Sequence, residues 1–327
     1  MLELTETRVR KQADELKIAD LRLAELDIRL SDILRLIYSD PFLSERLYLK
    51  GGTAINKLYL RATPRLSVDL DFNAIGERKE ILEQRKEIRL KIIDLLKEQD
   101  PGYKITSKTK YQLIPVHAIF NPVFGGGTQH LKIEISTVER FPVLKPGKIE
   151  LDGTLINTYS LEELTSTKLR ALYSRLKGRD IYDLYFISYM DLNKPILRKL
   201  VLYYFYRSGK VFDPKLFFRN IKEKFKSKKY VDDVSGFVRA DIQFSLDMAV
   251  KKVLSSYDFL SDLDERDENF IALSRGLLDK PVSKDRGEVI SKIKYPLLYL
   301  FGEDACLSER AGSFSIEESK IFLKPKK

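Results

Sequence analysis

The sequence predicts an α+β protein: a sheet with flanking helices in the amino-terminal half, followed by a mainly helical domain. Three observations predict it. Between residues 67 and 137, short runs alternate apolar and polar side chains with the two-residue period of half-buried strands. On either side of that region apolar residues recur at helical spacing. A stretch rich in proline and glycine, Phe141 to Gly153, separates the two patterns. Residues 1–150 are therefore read as a core carrying an amino-terminal helix, and residues 151–327 as a helical domain.

From Asp20 to Ile37, Leu23, Leu26, Leu30, Ile33, Leu34 and Ile37 form the apolar stripe of an amphipathic helix, which Asp40-Pro41 ends. Leu47-Tyr48-Leu49 reads as a short strand running into Gly51-Gly52, and Thr53 through Leu60 resumes helical character. Ser67 to Asn73 sets Val68, Leu70 and Phe72 against Ser67, Asp69, Asp71 and Asn73, so the polar side chains share one face of a strand. A charged helix follows from Arg78 to Gln99 and stops at Asp100-Pro101-Gly102. Tyr103 to Leu113, Val116 to Asn121 and His130 to Thr137 are strand-like, with Pro122 to Thr128 as a hairpin loop between the last two. Near Ser160 helical spacing returns, and Ser160 with Glu163 forms a capping box.

At 327 residues and 43% apolar content the chain can bury a large core. Its net charge of +10 favours a polyanionic partner. Cys306 is the only cysteine, which excludes an internal disulfide and a cysteine-rich zinc site and points to a reducing, cytoplasmic setting. No signal peptide or membrane-spanning run is read, so no membrane partner is expected. With only His117 and His130 present, and no paired Ser or Cys nucleophile in recognisable context, histidine-centred catalysis has little support.

Two motifs carry chemistry. Side chains two apart on a strand face the same way, so Asp69 and Asp71 can converge on a divalent ion. Lys132-Ile133-Glu134-Ile135-Ser136 is another alternating strand and offers Glu134 as a third oxygen ligand. Gly51-Gly52-Thr53 lacks bulk where strand turns into helix, so backbone amides and a hydroxyl can approach a triphosphate. Arg65 either neutralises phosphate or sits exposed in the Thr63-Pro64 turn. The Walker pattern is absent. Asp69 follows Gly52 by seventeen positions, so one short helix links the motifs.

The segment KGGTAINKLYLRATPRLSVDLDF resembles the signature of the AbiEii/AbiGii-type toxin family of nucleotidyltransferases, the toxins of type IV toxin–antitoxin and phage-defence systems. The resemblance continues from Thr167-Lys168-Leu169 to Lys177-Gly178-Arg179-Asp180-Ile181-Tyr182-Asp183-Leu184 and spans roughly residues 45 to 190. It implies a polymerase-beta-like transferase core with a mixed sheet. It implies Asp69 and Asp71 as a pair binding Mg2+ or Mn2+, and Gly51, Gly52, Thr53 and Ser67 as the phosphate-side residues; Lys50 and Arg65, the cations nearest these motifs in sequence, join them as nucleotide-binding candidates. Lys168 would be the nucleotide-phosphate lysine, and Asp180 or Asp183 the remaining essential acid. Glu134 matches only a loose strand context, and Gly-Gly-Thr replaces the Gly-Ser of the shorter transferase signature. Arg175, a heptad from Lys168 on one helix, either reaches phosphate or lies on a solvated face, and Asp180 either serves catalysis or joins an ion-pair cluster.

Lys194 to Tyr230 holds twelve Lys/Arg against Asp213 and Glu223, a net +10 in 37 residues. Tyr203, Tyr204, Phe205, Tyr206, Phe212, Phe217, Phe218, Phe225 and Tyr230 are interleaved with them, as in a surface that grips a nucleic-acid backbone and stacks bases. The expected function is metal-dependent transfer of a nucleoside monophosphate from an NTP to RNA, at the tRNA 3′ end, blocking translation until a separately encoded antitoxin intervenes. The alternatives are a non-catalytic nucleic-acid-binding module on the same fold, or a transferase acting on a protein or small-molecule hydroxyl.

Overall fold

The computed structural model of the chain describes residues 4–61, 65–110, 112–225, 230, 233–234, 236–278 and 296–301. Cys306 and the Thr63-Pro64 turn lie outside the described residues. The chain divides into two compact units. The first comprises residues 1–142, 147–159 and 236–244, and the second residues 143–146, 160–235 and 245–327.

The first unit opens with helices α1 (Glu6–Glu15), α2 (Leu21–Ser39) and α3 (Pro41–Arg46). Asp20 caps α2 by accepting from the Arg22 amide, and Asp40 caps α3 through the Leu43 amide. Strand β1 (Leu47–Lys50) leads into the short helix α4 (Gly51–Ala54), which loosens into a π-helical turn over Ile55–Tyr59. Strand β2 (Asp69–Ala74) and helix α5 (Arg78–Gln99) follow, then β3 (Lys104–Thr106), β4 (Leu113–Phe120), β5 (Gln129–Ser136), β6 (Gly147–Leu151) and β7 (Thr154–Thr158).

The described strands make one seven-stranded mixed sheet in the order β3-β4-β5-β2-β1-β7-β6. β2 runs parallel to β5 and antiparallel to β1, and β1 runs parallel to β7. The two-residue period then sorts the sheet's faces. Leu47, Leu49, Leu70, Phe72, Ile133, Ile135, Ile114, Val116 and Ala118 are all fully buried, as the core beneath α2 and α5. The opposite face carries Lys50, Asp69, Asp71, Asn73, Lys132, Glu134 and Ser136.

Two expectations differ from what is observed. Among the described residues, Tyr103 to Leu113 is strand over Lys104–Thr106, at the sheet's edge, and again at Leu113, where β4 begins. The Phe141 to Gly153 stretch is not simply a linker, because β6 lies within it and pairs with β7 around Asp152-Gly153. Both turn residues have positive φ, 49° and 80°, as a tight hairpin demands.

In the second unit α6 (Leu161–Arg175) is capped by Ser160, whose Oγ accepts from the Glu163 amide at 3.2 Å. The fully buried Glu163 carboxylate accepts from the Val143 and Leu144 amides and from the Tyr204 hydroxyl. Then come α7 (Gly178–Ile187), α8 (Lys194–Arg207), α9 (Pro214–Lys224), α10 (Leu246–Ser256), α11 (Glu265–Leu278) and α12 (Pro296–Phe301).

Candidate active site

Register brings the polar face together. Lys50 on β1 lies opposite Asp71, Asp71 lies beside Glu134 on β5, and Asp69 lies beside Lys132. Three acids and two cations therefore occupy neighbouring positions on three adjacent strands. Lys132 donates to Glu134 at 2.8 Å, and Lys50 pairs with Glu139 at 3.7 Å.

The Asp71 carboxyl is pushed up to about 6, first by burial and then by the charges of Asp69 and Glu134, with Lys50 and Lys132 opposing only in part. On Lys132, burial works against the charged form, but Glu134, Asp69 and Asp71 outweigh it and raise the ammonium. This face holds more negative charge than its lysines neutralise, which is the condition a divalent cation relieves.

The carboxylates Asp69 and Asp71 thus fit a hard cation. Glu134 is turned towards Lys132, and among the described residues no three His, Cys, Asp or Glu side chains are already gathered as a metal site. Glu134 would have to exchange Lys132 for the cation to become a third ligand.

The glycines matter through what lies against them. Gly51 has φ +72°, and a Cβ there would stand 2.7 Å from Asp71 Oδ2. A Cβ on Gly52 would stand 2.7 Å from Arg65 Nη2 and 3.3 Å from Ser67 Oγ. The glycine pair therefore lets backbone lie directly against the acid on one side and against an arginine and a serine on the other. Arg65 is 6% exposed, which corrects the exposed-turn alternative, and its Nη1 donates to the Leu66 carbonyl at 2.9 Å. Thr53 is buried and its hydroxyl donates to the Asp69 carbonyl, tying the turn to the aspartate strand.

Asn56 is a supporting residue that the motif reading missed. Its Nδ2 donates to the Gly52 carbonyl and its Oδ1 accepts from the Arg65 amide, both at 2.9 Å. A buried Asn four residues after Gly52 on a helical run is the signal that could have found it. Lys132 and Glu139 were also missed, although Lys132 stands two residues before Glu134 on the same strand face.

Lys168, Asp180 and Asp183 come together within the second unit. The Lys168 ammonium lies 3.1 Å from Asp180 and 2.9 Å from Asp183, joining α6 to α7. Both aspartates are fully buried and Lys168 is 5% exposed. Arg175 holds Asp180 with two bonds, Nε at 2.8 Å and Nη2 at 2.7 Å. Burial disfavours the Asp180 carboxylate, yet Lys168 and Arg175 overcome it and lower its pKa.

Seven of the nine aromatics of the basic stretch are core and not a stacking surface, while Phe218 and Tyr230 are half-buried. Tyr203, Tyr204, Phe205, Tyr206, Phe212, Phe217 and Phe225 are buried in the second unit's core, where Tyr173, Phe205, Phe212 and Phe217 pack edge-on or stacked. Helical periodicity sends them inwards and leaves Lys194, Lys215, Lys222 and Lys224 outside. Part of the charge is also spent internally, since Arg198 and Lys199 both pair with Asp264 and Asp267.

A family model described as nucleotidyl transferase AbiEii toxin, type IV toxin–antitoxin system, matches residues 32–264. The chain belongs to the AbiEii family. The AbiEii match covers the glycine turn, the aspartate strand and the Lys168 helix, and it makes this protein a nucleotidyltransferase of the toxin class. Membership implies a nucleoside triphosphate substrate and an antitoxin partner. The fold is similar to that of MenT4, a nucleotidyltransferase toxin from Mycobacterium tuberculosis, at TM-score 0.66 and 19% identity over 91% of this chain and 99% of that one. JHP933 from Helicobacter pylori aligns at TM-score 0.47 and 18% identity, over 83% of this chain and 99% of its own. No curated protein matches the chain. No described helix is long and apolar enough to cross a membrane.

Proposed function

We propose that this AbiEii protein uses the Asp69–Asp71 face to transfer a nucleoside monophosphate from an NTP to a hydroxyl of RNA, with the 3′ end of tRNA as acceptor, and so blocks translation in the cytoplasm. The observation that carries the reading is the excess of carboxylate charge at Asp69, Asp71 and Glu134 beside a glycine turn that leaves backbone uncovered. A magnesium or manganese ion held by Asp69 and Asp71, with Glu134 as a third donor, would neutralise the triphosphate and acidify the attacking hydroxyl.

The protein's own groups do the rest. Gly51 and Gly52 allow phosphate oxygens to come against backbone amides that a side chain would cover. Lys50 and Arg65 add positive charge beside that turn, and Ser67 adds a hydroxyl. Thr53 and Asn56 fix the turn so that these donors are in place before the nucleotide arrives. Lys168 is the proposed phosphate lysine and Asp180 or Asp183 the further essential acid, by resemblance to the family motif.

RNA as acceptor is supported by charge rather than by stacking. Lys215, Arg219 and Lys222 form an exposed stripe on one side of α9, and none has an ionic partner among the described residues. Incubation with each labelled NTP, magnesium and total RNA tests the reading, followed by sequencing of the labelled species. Added nucleotides at tRNA 3′ ends support it. Label confined to protein or to a small molecule overturns the RNA assignment, and no transfer at all favours a binding module.

A further inference from the structure

Away from the acidic face, Arg85, Lys86 and Arg89 on α5 and Thr109 and Lys110 in the β3–β4 connection line a pocket of about 380 Å³. None of its four cations has an ionic partner among the described residues. Some other charges of the helix are paired. Lys91 pairs with Asp40 at 2.7 Å, and Glu80 lies 3.7 Å from Arg46. At 100° per residue, Arg85 and Arg89 lie together on one edge of the buried stripe of Ile81, Ile88, Ile92 and Leu96, while Glu83 and Glu87 point to the far side.

The pocket's other wall is held in place. The Lys110 amide donates to the Leu113 carbonyl at 2.8 Å, and the Thr137 amide donates to the Gln112 carbonyl at 3.1 Å, so the connection is pinned to the ends of β4 and β5. Because α5 covers the sheet's apolar face, this pocket lies on the opposite side of the sheet from Asp69 and Asp71. It cannot be part of the same nucleotide site.

We propose that Arg85, Lys86, Arg89 and Lys110 form an exosite that binds the phosphodiester backbone of the acceptor RNA, with the Thr109 hydroxyl as an added donor. The inference rests on RNA being the acceptor. Four unneutralised cations exceed what one phosphate group balances, but they match consecutive phosphodiesters that carry one charge each. The contacts are to backbone, so they add affinity without reading sequence.

The test is equilibrium binding of fluorescent RNA to the full chain across a salt series, with nucleotide omitted, so that its outcome stands whether or not transfer is detected. The Arg85→Gln/Arg89→Gln/Lys110→Gln variant is compared with Lys79→Gln/Lys97→Gln, which removes cations from α5 outside the pocket. Loss of three contacts lowers the slope of log K against log salt by about 2–3 and weakens RNA binding at low salt by at least about tenfold. The control keeps the wild-type slope. An unchanged slope in the triple variant overturns the proposal. So does inorganic phosphate protecting the wild type, but not the triple variant, against heat while RNA binding stays equal, since the pocket would then take a small anion.

Discussion

Replacing Lys168 by Met removes the one ammonium that joins two fully buried carboxylates, and the cluster of Lys168, Arg175, Asp180 and Asp183 goes from net neutral to net −1. Breaking a buried pair by removing one partner costs about 3–5 kcal/mol. The lower end applies here because Arg175 keeps both of its bonds to Asp180. A loss of about 3 kcal/mol corresponds to a fall in Tm of roughly 6–12 °C for a domain of this size. The loss also depends on pH. The native Asp180 carboxyl lies below its ordinary value of 3.8, so in the wild type its stabilisation is present above that value and disappears as pH falls through the native pKa. Without Lys168, only Arg175 opposes the burial of Asp180, so that carboxyl rises and the variant's deficit is larger at neutral pH than at pH 5. Urea unfolding of wild type, Lys168→Met and Lys168→Met/Asp183→Asn at both pH values measures this. The double variant restores charge balance and recovers more than half of the loss, while remaining inactive if Lys168 contacts the nucleotide. A single-variant loss below about 1 kcal/mol, or a double variant no more stable than the single, refutes the reasoning.

Asp71→Asn behaves in the opposite sense. A native carboxyl raised to about 6 has its stability contribution below its ordinary value of 3.8 and loses it as pH rises through 6. The variant is therefore more stable than metal-free wild type at pH 7.5, by roughly 1–3 kcal/mol, and no more stable below about pH 4; thermal melts across pH check this, and equal wild-type and variant Tm at pH 7.5 counts against it. Magnesium raises the wild-type Tm in the same melts and leaves Asp71→Asn unmoved. Gly51→Ala places a methyl 2.7 Å from Asp71 Oδ2 in a left-handed backbone, so it costs about 1–2 kcal/mol and abolishes nucleotide protection in a thermal-shift assay. Retained protection would show that the turn does not approach the phosphates.

Where local pattern decides structure, the sequence was legible. The alternation from Ser67 to Asn73 placed Asp69 and Asp71 on one face, and the helix from Arg78 to Gln99 was read with its observed ends because Asp100-Pro101-Gly102 cannot continue it. β6 and β7 were missed because the proline- and glycine-bearing stretch that contains β6 was read as a boundary, although Asp152-Gly153 is a two-residue hairpin signal. Pairing between distant strands was not legible at all. Only the parallel register of β2 on β5 sets Glu134 beside Asp71, and only the antiparallel register of β1 on β2 sets Lys50 there. The aromatic residues of α8 and α9 show the opposite failure: composition suggested a stacking surface, whereas burial decides that they are core.

Metal-dependent nucleotidyl transfer is proposed to take place on the Asp69–Asp71 face. Its most direct test is incorporation of α-labelled NTP into RNA by wild type and Asp69→Ala, each with magnesium and with a chelator in excess, after circular dichroism has shown that both are folded. Label that appears only with wild type and magnesium is the predicted result. Equal labelling by Asp69→Ala, or labelling that survives the chelator, would contradict the account.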